Sequence, residues 1–510
     1  MIAPLPDSPF PGERLLPRRI GIDTGGEHVV YLPQASPACH GEGFGPHSRL
    51  QVSIGDRHLM TTLAIVQGRW LAADEIGLCE SAWLNLQPAE HEYATLSHPS
   101  SVESLSNVRA KLYGGTLADA QLHAIVADIA AQRYSNVEMA AFVTACSGDH
   151  LTLDEVAALT GAMVDTGARL HWPNPVVTDK HCIGGLPGNR TTPIVVAIAT
   201  SLGLVMPKTS SRAITSPAGT ADTMAVLAPV QLDIGRMRKV VERTGGCLVW
   251  GGAINLAPVD DMLIRIERAL DIDSPGQLVA SILSKKIAAG STRVVIDMPV
   301  GPTAKVRGME HARTLERMLL AVAARFGLGL TVLGTDGLQP VGRGVGPALE
   351  AHDVLAVLRN LPAQPLDLRE RSLALAAAVL EAGGRAEGAQ ALAVARGCLD
   401  DGRAWRQFQA ICEAQGGLRA PGVAPYRHPV VATREGRVEA IDNRRLAQAA
   451  KLAGAPLSPL AGLAVGVRLG DAVARGQPLF TLHAQSPGEL AYALEYVARH
   501  PGIVDVGAAP

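Results

Sequence analysis

Between Pro175 and about Gly417 the sequence alternates short apolar runs with glycine-rich loops and segments of helical period. Cys247-Leu248-Val249-Trp250, Val294-Val295-Ile296-Asp297-Met298 and Leu330-Thr331-Val332-Leu333 read as strands, and Pro347 to Leu358 and Leu366 to Ala382 read as helices. This alternation is the strongest constraint on the chain, because it predicts a layered α/β domain. The flanking texture differs. Up to Leu86, the runs Arg19-Ile20-Gly21-Ile22-Asp23, Val29 to Leu32 and Leu59 to Val66 are bounded by turn residues and predict a small β-rich module. Leu86 to Asn107, with Pro88 and Pro99, reads as a linker. From Val108 to Leu170, Leu117, Leu122, Ile125, Val126 and Ile129 recur at helical spacing. Within that block Thr152-Leu153-Asp154-Glu155 spells a capping box. After Gly417, the run Gly436 to Ile441, a helix near Leu446, the run Pro478 to Leu482 and a helix from Pro487 to Tyr496 predict an α+β tail.

Composition narrows the function classes. The 510 residues are 47% apolar and 18% charged, which excludes a disordered chain and suits roughly three or four domains at ~100–200 residues each. Lys and Arg total 46 against 48 Asp and Glu, a net charge of -2, so no overall field attracts nucleic acid or an anionic membrane. An anionic ligand would need a local site. The seven cysteines are scattered singly, without a Cys-x-x-Cys pair, which points to a reducing cytosol. Met1 to Arg19 lacks the apolar core of a signal peptide, and the most apolar stretch, Ile194 to Met206, is shorter than the ~20 residues that cross a bilayer.

Three segments carry candidate chemistry. In the first, Thr178-Asp179-Lys180-His181-Cys182-Ile183-Gly184-Gly185-Leu186-Pro187-Gly188-Asn189-Arg190-Thr191-Thr192, a glycine-rich loop follows a lysine and precedes a helix that starts near Pro193. Backbone N–H groups there can converge on an anion at a helix N-terminus. It is no nucleotide P-loop, because Asn189 and Arg190 stand where that template needs Gly and Lys. The alternative reading is a tight strand-to-helix turn with no ligand. The second segment, Lys208-Thr209-Ser210-Ser211-Arg212 through Gly219-Thr220-Ala221-Asp222, has hydroxyls and cations suited to a phosphorylated or polyhydroxylated ligand, or to capping its own backbone. The third, Leu256 to Gly290, holds Asp260-Asp261, Arg265, Arg268 and Asp273, then Ser281 and Lys285 four apart on one helical face. Asp273, ahead of Ser274-Pro275, is as readily an N-cap as an acid. Cys39, His40, Glu42 and His47 cluster in sequence, but their spacing fits no standard zinc template. Cys182 reads as a small filler rather than a nucleophile.

Together these segments resemble the thymidine and pyrimidine-nucleoside phosphorylase family. Lys180-His181-Cys182-Ile183-Gly184-Gly185 is similar to its Lys-His-Ser-x-Gly-Gly phosphate loop, with Cys182 in place of the usual Ser. Ser210 through Asp222 is similar to its signature stretch, and Ala280 to Lys286 to its base-binding helix. The N-terminal module and the Arg212 to Asp222 run resemble its longer subgroup, which includes archaeal AMP phosphorylases and bacterial thymidine-phosphorylase-like chains. The resemblance implies a cytoplasmic pentosyltransferase in nucleoside metabolism and pyrimidine salvage. Its reaction would be phosphorolysis of a nucleoside, or of a nucleoside monophosphate such as AMP, by inorganic phosphate with no metal. It implies Lys180, Gly185, Thr192, Ser210 and Thr220 on phosphate, and His181, Arg265 (with Arg268 close by), Ser281 and Lys285 on the base. Asp273 would be the proton donor. Ser211, Arg212, Ala213, Ile214, Thr215 and Ser216, with Lys305, would meet the rest of a nucleotide, and Arg190, Lys208 and Arg212 are the cations available for a 5′-phosphate. The implied architecture is multidomain α/β: an N-terminal β-rich module (1–86), a helical base-binding domain (100–172 plus 258–290), a central mixed α/β phosphate-binding domain (173–257 plus 291–416) and a C-terminal α+β domain (417–510). Base and phosphate sites would meet only on closure, in a homodimer or larger homo-oligomer. A phosphoribosyltransferase using Asp260-Asp261 for a metal, or a catalytically silent nucleotide-binding protein, are the competing classes.

Overall fold

A computed structural model describes residues 14–41, 44–213, 216–272 and 274–507, with the side chains of His40 and Gly41 outside the description. The chain divides into two compact units, Met1–Tyr113 with Ala127–Phe142, and Gly114–Val126 with Val143–Pro510.

The first unit carries a six-stranded sheet, ordered Leu16–Arg19, Glu75–Leu78, Val29–Pro33, Arg57–Val66, Arg49–Ile54, Thr95–Ser97. Alternation buries Leu50, Val52 and Ile54 on one face of their strand, against Val30, Leu32 and Leu63. Two expectations fail here. The first strand is Leu16–Arg19 rather than Arg19 to Asp23, because Gly21 takes a φ of 70° and ends the extended run. The expected linker also contributes an edge strand, Thr95–Ser97, pairing antiparallel with Gln51 to Ser53.

In the second unit, Thr178–Cys182, Arg293–Val300 and Gly329–Asp336 form a parallel ladder with Arg293–Val300 in the centre. Met206–Ser210 and Gly246–Trp250 form another parallel pair, and a Val177–Val205 bridge sutures the two ladders. The helix Thr192–Ser201 crosses this sheet with every residue from Thr192 to Thr200 buried, so its apolar run shows no amphipathic stripe. It packs with Leu366–Ala382 and Arg403–Gln415 around Phe408 and Ile411. The helices Pro258–Leu270 and Pro275–Ala288 stand beside Leu153–Asp165. The C-terminal part has a three-stranded and a four-stranded antiparallel sheet. The edge strand of the latter, Gly344–Val345, comes from the 291–416 stretch and pairs with Leu463 and Ala464. Among the described residues no helix is long and apolar enough to cross a membrane.

The predicted capping box forms. Glu155 N donates to Thr152 Oγ1 at 3.2 Å, and Thr152 N donates to Glu155 Oε2 at 2.9 Å. The other oxygen of Glu155 accepts from Leu117 N at 2.8 Å, so the cap also fixes the preceding helical segment. Thr152→Ala should lower the unfolding free energy by about 1 kcal/mol in urea denaturation. An unchanged midpoint would contradict that account of the helix start.

Candidate functional site

The site lies at the C-terminal edge of the parallel strands, where open α/β sheets present their ligands. Alternation along Thr178–Cys182 sends Lys180 and Cys182 to one face and Asp179 and His181 to the other. The two faces build different things.

On the first face, Lys180 is wholly buried. Its ammonium donates to Thr191 Oγ1 at 2.7 Å and lies 3.6 Å from Asp297 Oδ2. Asp297 sits opposite Cys182 on the central strand and also accepts from Asn189 Nδ2 at 2.9 Å and Thr335 Oγ1 at 2.7 Å. Burial pushes the Asp297 carboxyl up, but Lys180, Thr335 and Asn189 together hold it below the usual carboxylate range. The Cys182 thiol lies 3.3 Å from Asn189 Nδ2, and burial beside Asp297 pushes it up to about 12. It is therefore a protonated thiol and not a nucleophile at neutral pH. Gly184 and Gly185 take φ values of 99° and 78°, which turn the chain sharply after the strand. At the loop's end the helix Thr192–Ser201 begins with buried Thr192 and presents its first-turn N–H groups.

The parallel strand Met206–Ser210, joined to this ladder only by the Val177–Val205 bridge, ends at Ser210. The Ser210 hydroxyl is buried and has no hydrogen-bond partner. Beyond it, Asp222 accepts from Ala213 N at 2.6 Å and Gly219 N at 2.9 Å, and so ties Ala213 to the start of the helix Thr220–Leu227. A Cβ at Gly219 would lie 2.6 Å from Ser211 O, so only glycine allows this approach of the two backbones. Ser216 Oγ donates to Ala218 O at 2.9 Å. Arg212 pairs with Asp222 at 3.2 Å, lies over the Trp250 ring at 5.0 Å and keeps a side chain 44% exposed. Ile214, Thr215 and Asp273 lie outside the described residues. The N-cap position before Pro275 belongs to Ser274.

On the second face, Asp179 is buried between Lys208 at 3.1 Å and Lys286 at 2.7 Å. Burial, with the Lys208 charge nearby, brings the Lys286 ammonium down to about 7. Burial and the charges of Lys286, Lys208, Lys285 and Lys180 hold the His181 imidazole well below its ordinary value, so it is neutral at pH 7. One helical turn before Ala289, Lys285 donates to Asp260 Oδ2 at 2.6 Å and to Ser281 Oγ at 3.1 Å, which confirms the shared face. Arg265 is exposed on the helix Pro258–Leu270. Lys305 follows the central strand, and its backbone N would lie 2.3 Å from a Cβ on Gly185.

Several expectations are revised by this geometry. Arg190 donates to Glu350 Oε2 at 2.6 Å, Thr220 Oγ1 at 2.7 Å and Ala218 O at 2.8 Å, and Lys208 is locked on Asp179 and Thr209 O. Neither is available to a 5′-phosphate. Asp260 is committed to Lys285 rather than to a metal pair with Asp261. The helix carrying Ser281 and Lys285 touches the Lys180 strand through the Asp179–Lys286 pair, on the face away from the glycine loop. Glu42 and the His40 side chain of the cysteine–histidine cluster lie outside the description, while the Cys39 thiol faces Pro33 O at 3.8 Å. Asp297 is a residue of this cluster that the motifs do not mark, while its partner Asn189 lies inside the first of them. A lone carboxylate inside the apolar run Val294 to Met298 is the available signal, since a central strand buries both faces.

Known proteins place this arrangement. Family models match in order along the chain: the glycosyl transferase family helical bundle domain over residues 107–167, the glycosyl transferase family a/b domain over 174–405 and the pyrimidine nucleoside phosphorylase C-terminal domain over 437–503. A Polaromonas sp. protein named "Putative thymidine phosphorylase" is 58% identical over 503 residues, covering 99% of this chain and 98% of its own. An Acidovorax sp. relative named "Putative thymidine phosphorylase 2" is 58% identical over 495 residues, covering 97% and 96%. The crystal structure of anthranilate phosphoribosyltransferase from Thermus thermophilus covers 60% of this chain and 98% of its own at a TM-score of 0.50 and 19% identity, a likeness of fold alone. With matches of this extent, and with a lysine buried under a glycine loop at the strand edge, the chain belongs to the thymidine/pyrimidine-nucleoside phosphorylase family.

Proposed function

We propose that the chain catalyses thymidine phosphorylase-type phosphorolysis of a nucleoside, giving free base and (deoxy)ribose 1-phosphate. The observation that carries this reading is the fully buried Lys180 ammonium held on Thr191 at the end of the glycine loop, with an unpartnered buried hydroxyl on Ser210 at the end of the strand Met206–Ser210. Such a set suits a small oxyanion held away from water. In the reaction a phosphate oxygen bonds to the anomeric carbon as the C–N bond breaks, and the electron pair leaves with the base. Lys180, Gly185, Thr192, Ser210 and Thr220 hold phosphate. Ser281, Lys285 and neutral His181 offer donors to the departing base, with Arg265 at the rim. Asp273 supplies the proton. Proximity and charge stabilisation then carry the rate, with no metal required. The enzyme acts in the cytoplasm as a homodimer or larger homo-oligomer.

A nucleotide substrate is the second reading, favoured by the half-exposed guanidinium of Arg212 beyond Ser210. It loses Arg190 and Lys208, which are committed elsewhere. Base release from thymidine, uridine, AMP, CMP and UMP, with and without phosphate and with EDTA, decides. Phosphate-dependent, EDTA-resistant release from nucleosides is expected. AMP as the preferred substrate would establish the second reading, and release without phosphate would end both.

Lys180→Met should lower turnover by about 100-fold or more. It also strands Asp297, at a cost of about 3–5 kcal/mol. The double variant Lys180→Met with Asp297→Asn removes both charges, and is expected to regain stability without activity; an active double variant would refute the role of Lys180. Cys182→Ser restores a stronger donor and should lower the KM for phosphate; a raised KM would give the thiol a different part. Nitrogen-15 NMR of His181 should show no protonation between about pH 8 and pH 6, and a titration step near 6.5 would contradict a neutral donor.

A further inference from the structure

The anion loop leans on segments far from it in sequence. A Cβ at Gly188 would lie 2.2 Å from Val341 O, and Val341 N donates to Pro187 O at 3.1 Å. Gly185 lies as closely on Lys305, and Arg190, at the loop's end, is held by Glu350. Residues 301–306 and 337–350 therefore set the loop's outer side. Both are fixed by the C-terminal part of the chain. Gly344 and Val345 pair with Ala464 and Leu463 in its four-stranded sheet. Arg468 donates to Pro340 O at 2.8 Å and to Gly342 O, and pairs at 2.9 Å with Asp367, which accepts from Gly342 N at 3.0 Å. Leu469 N donates to Gln339 Oε1 at 2.9 Å. Asn443 Nδ2 ties the two segments together, donating to Thr303 Oγ1 at 3.0 Å and to Gly337 O at 3.1 Å.

We infer that Arg468, in the C-terminal domain, is a positioning residue for phosphate: it fixes the Pro340 to Gly342 turn on which Pro187 and Gly188 rest. The inference rests on the phosphate reading of that loop. A loop with glycines at positive φ has little stiffness of its own. The direction of its amides is set by what it packs against, and amides bind an anion only when they converge on it. Arg468 supplies that restraint by clamping backbone carbonyls of the turn, without reaching the loop itself. The C-terminal domain thus becomes part of the phosphate site.

Calorimetric titration of the full chain with inorganic phosphate, beside steady-state kinetics, tests this. Arg468→Met should weaken phosphate binding and raise its KM by about tenfold, while kcat at saturating phosphate and the nucleoside KM stay within about twofold. Arg468→Lys should recover part of the loss. Arg437→Met is the control: Arg437 also donates to a backbone carbonyl of this domain, Gly470 O at 2.7 Å, and its loss should leave phosphate affinity unchanged. Should Arg468→Met not fold, Gln339→Ala loosens the same turn and should shift phosphate KM in the same direction. Unchanged phosphate affinity in Arg468→Met, an equal loss in Arg437→Met, or parallel losses for both substrates would overturn the inference. Wild-type protein that binds no phosphate would overturn the reading of the loop itself.

Discussion

An ammonium group with no exposure to water fixes the architecture around it. Desolvating Lys180 costs several kcal/mol, so the fold must return a counter-charge and hydrogen bonds. Asp297 supplies the charge, and then needs donors of its own from Asn189 and Thr335. Three adjacent strands and the loop are thereby drawn to one point. In that dry setting a cation acts on an oxyanion far more strongly than it would in water.

The strand Thr178–Cys182 divides the work by its pleat. Lys180 and Cys182 face the glycine loop, and Asp179 and His181 face the helix that carries Ser281, Lys285 and Lys286. Four consecutive residues thus reach two different surroundings from one short strand. The same geometry explains the neutral histidine. His181 shares its face with Asp179, whose charge is spent on Lys208 and Lys286, so the imidazole meets burial and cations with no carboxylate left to favour protonation.

Local chemistry is legible in the sequence, and long-range pairing is not. The capping box at Thr152, the helix after Pro193, the Ser281–Lys285 face and the strands of the α/β domain all follow from periods and caps within a few residues. Arg190 and Lys208 look like ligand cations because nothing nearby in sequence pairs with them. Their partners are Glu350 and Asp179, brought in by the sheet and by the helix Pro347–Leu358. The strand Thr95–Ser97 is hidden for a related reason. Its flanking prolines and polar residues mark a linker, and only pairing with Arg49–Ile54 makes it a strand. Asp297 is visible as a charge in an apolar run, but its meaning depends on Lys180 standing across the ladder.

The ionic floor has a further consequence for ligand choice. Among the described residues, Lys180, Lys208 and Lys286 bring three positive charges to two carboxylates, Asp179 and Asp297. The excess lies on the second face, where Lys208 and Lys286 share Asp179, and burial brings the Lys286 ammonium down to about 7 despite that contact. Two things relieve it: loss of a proton from Lys286, or arrival of an anion at the loop. On the phosphate reading the second does so without sacrificing a charge, since a bound dianion favours the protonated lysine. A neutral ligand in the same loop would leave that excess in place.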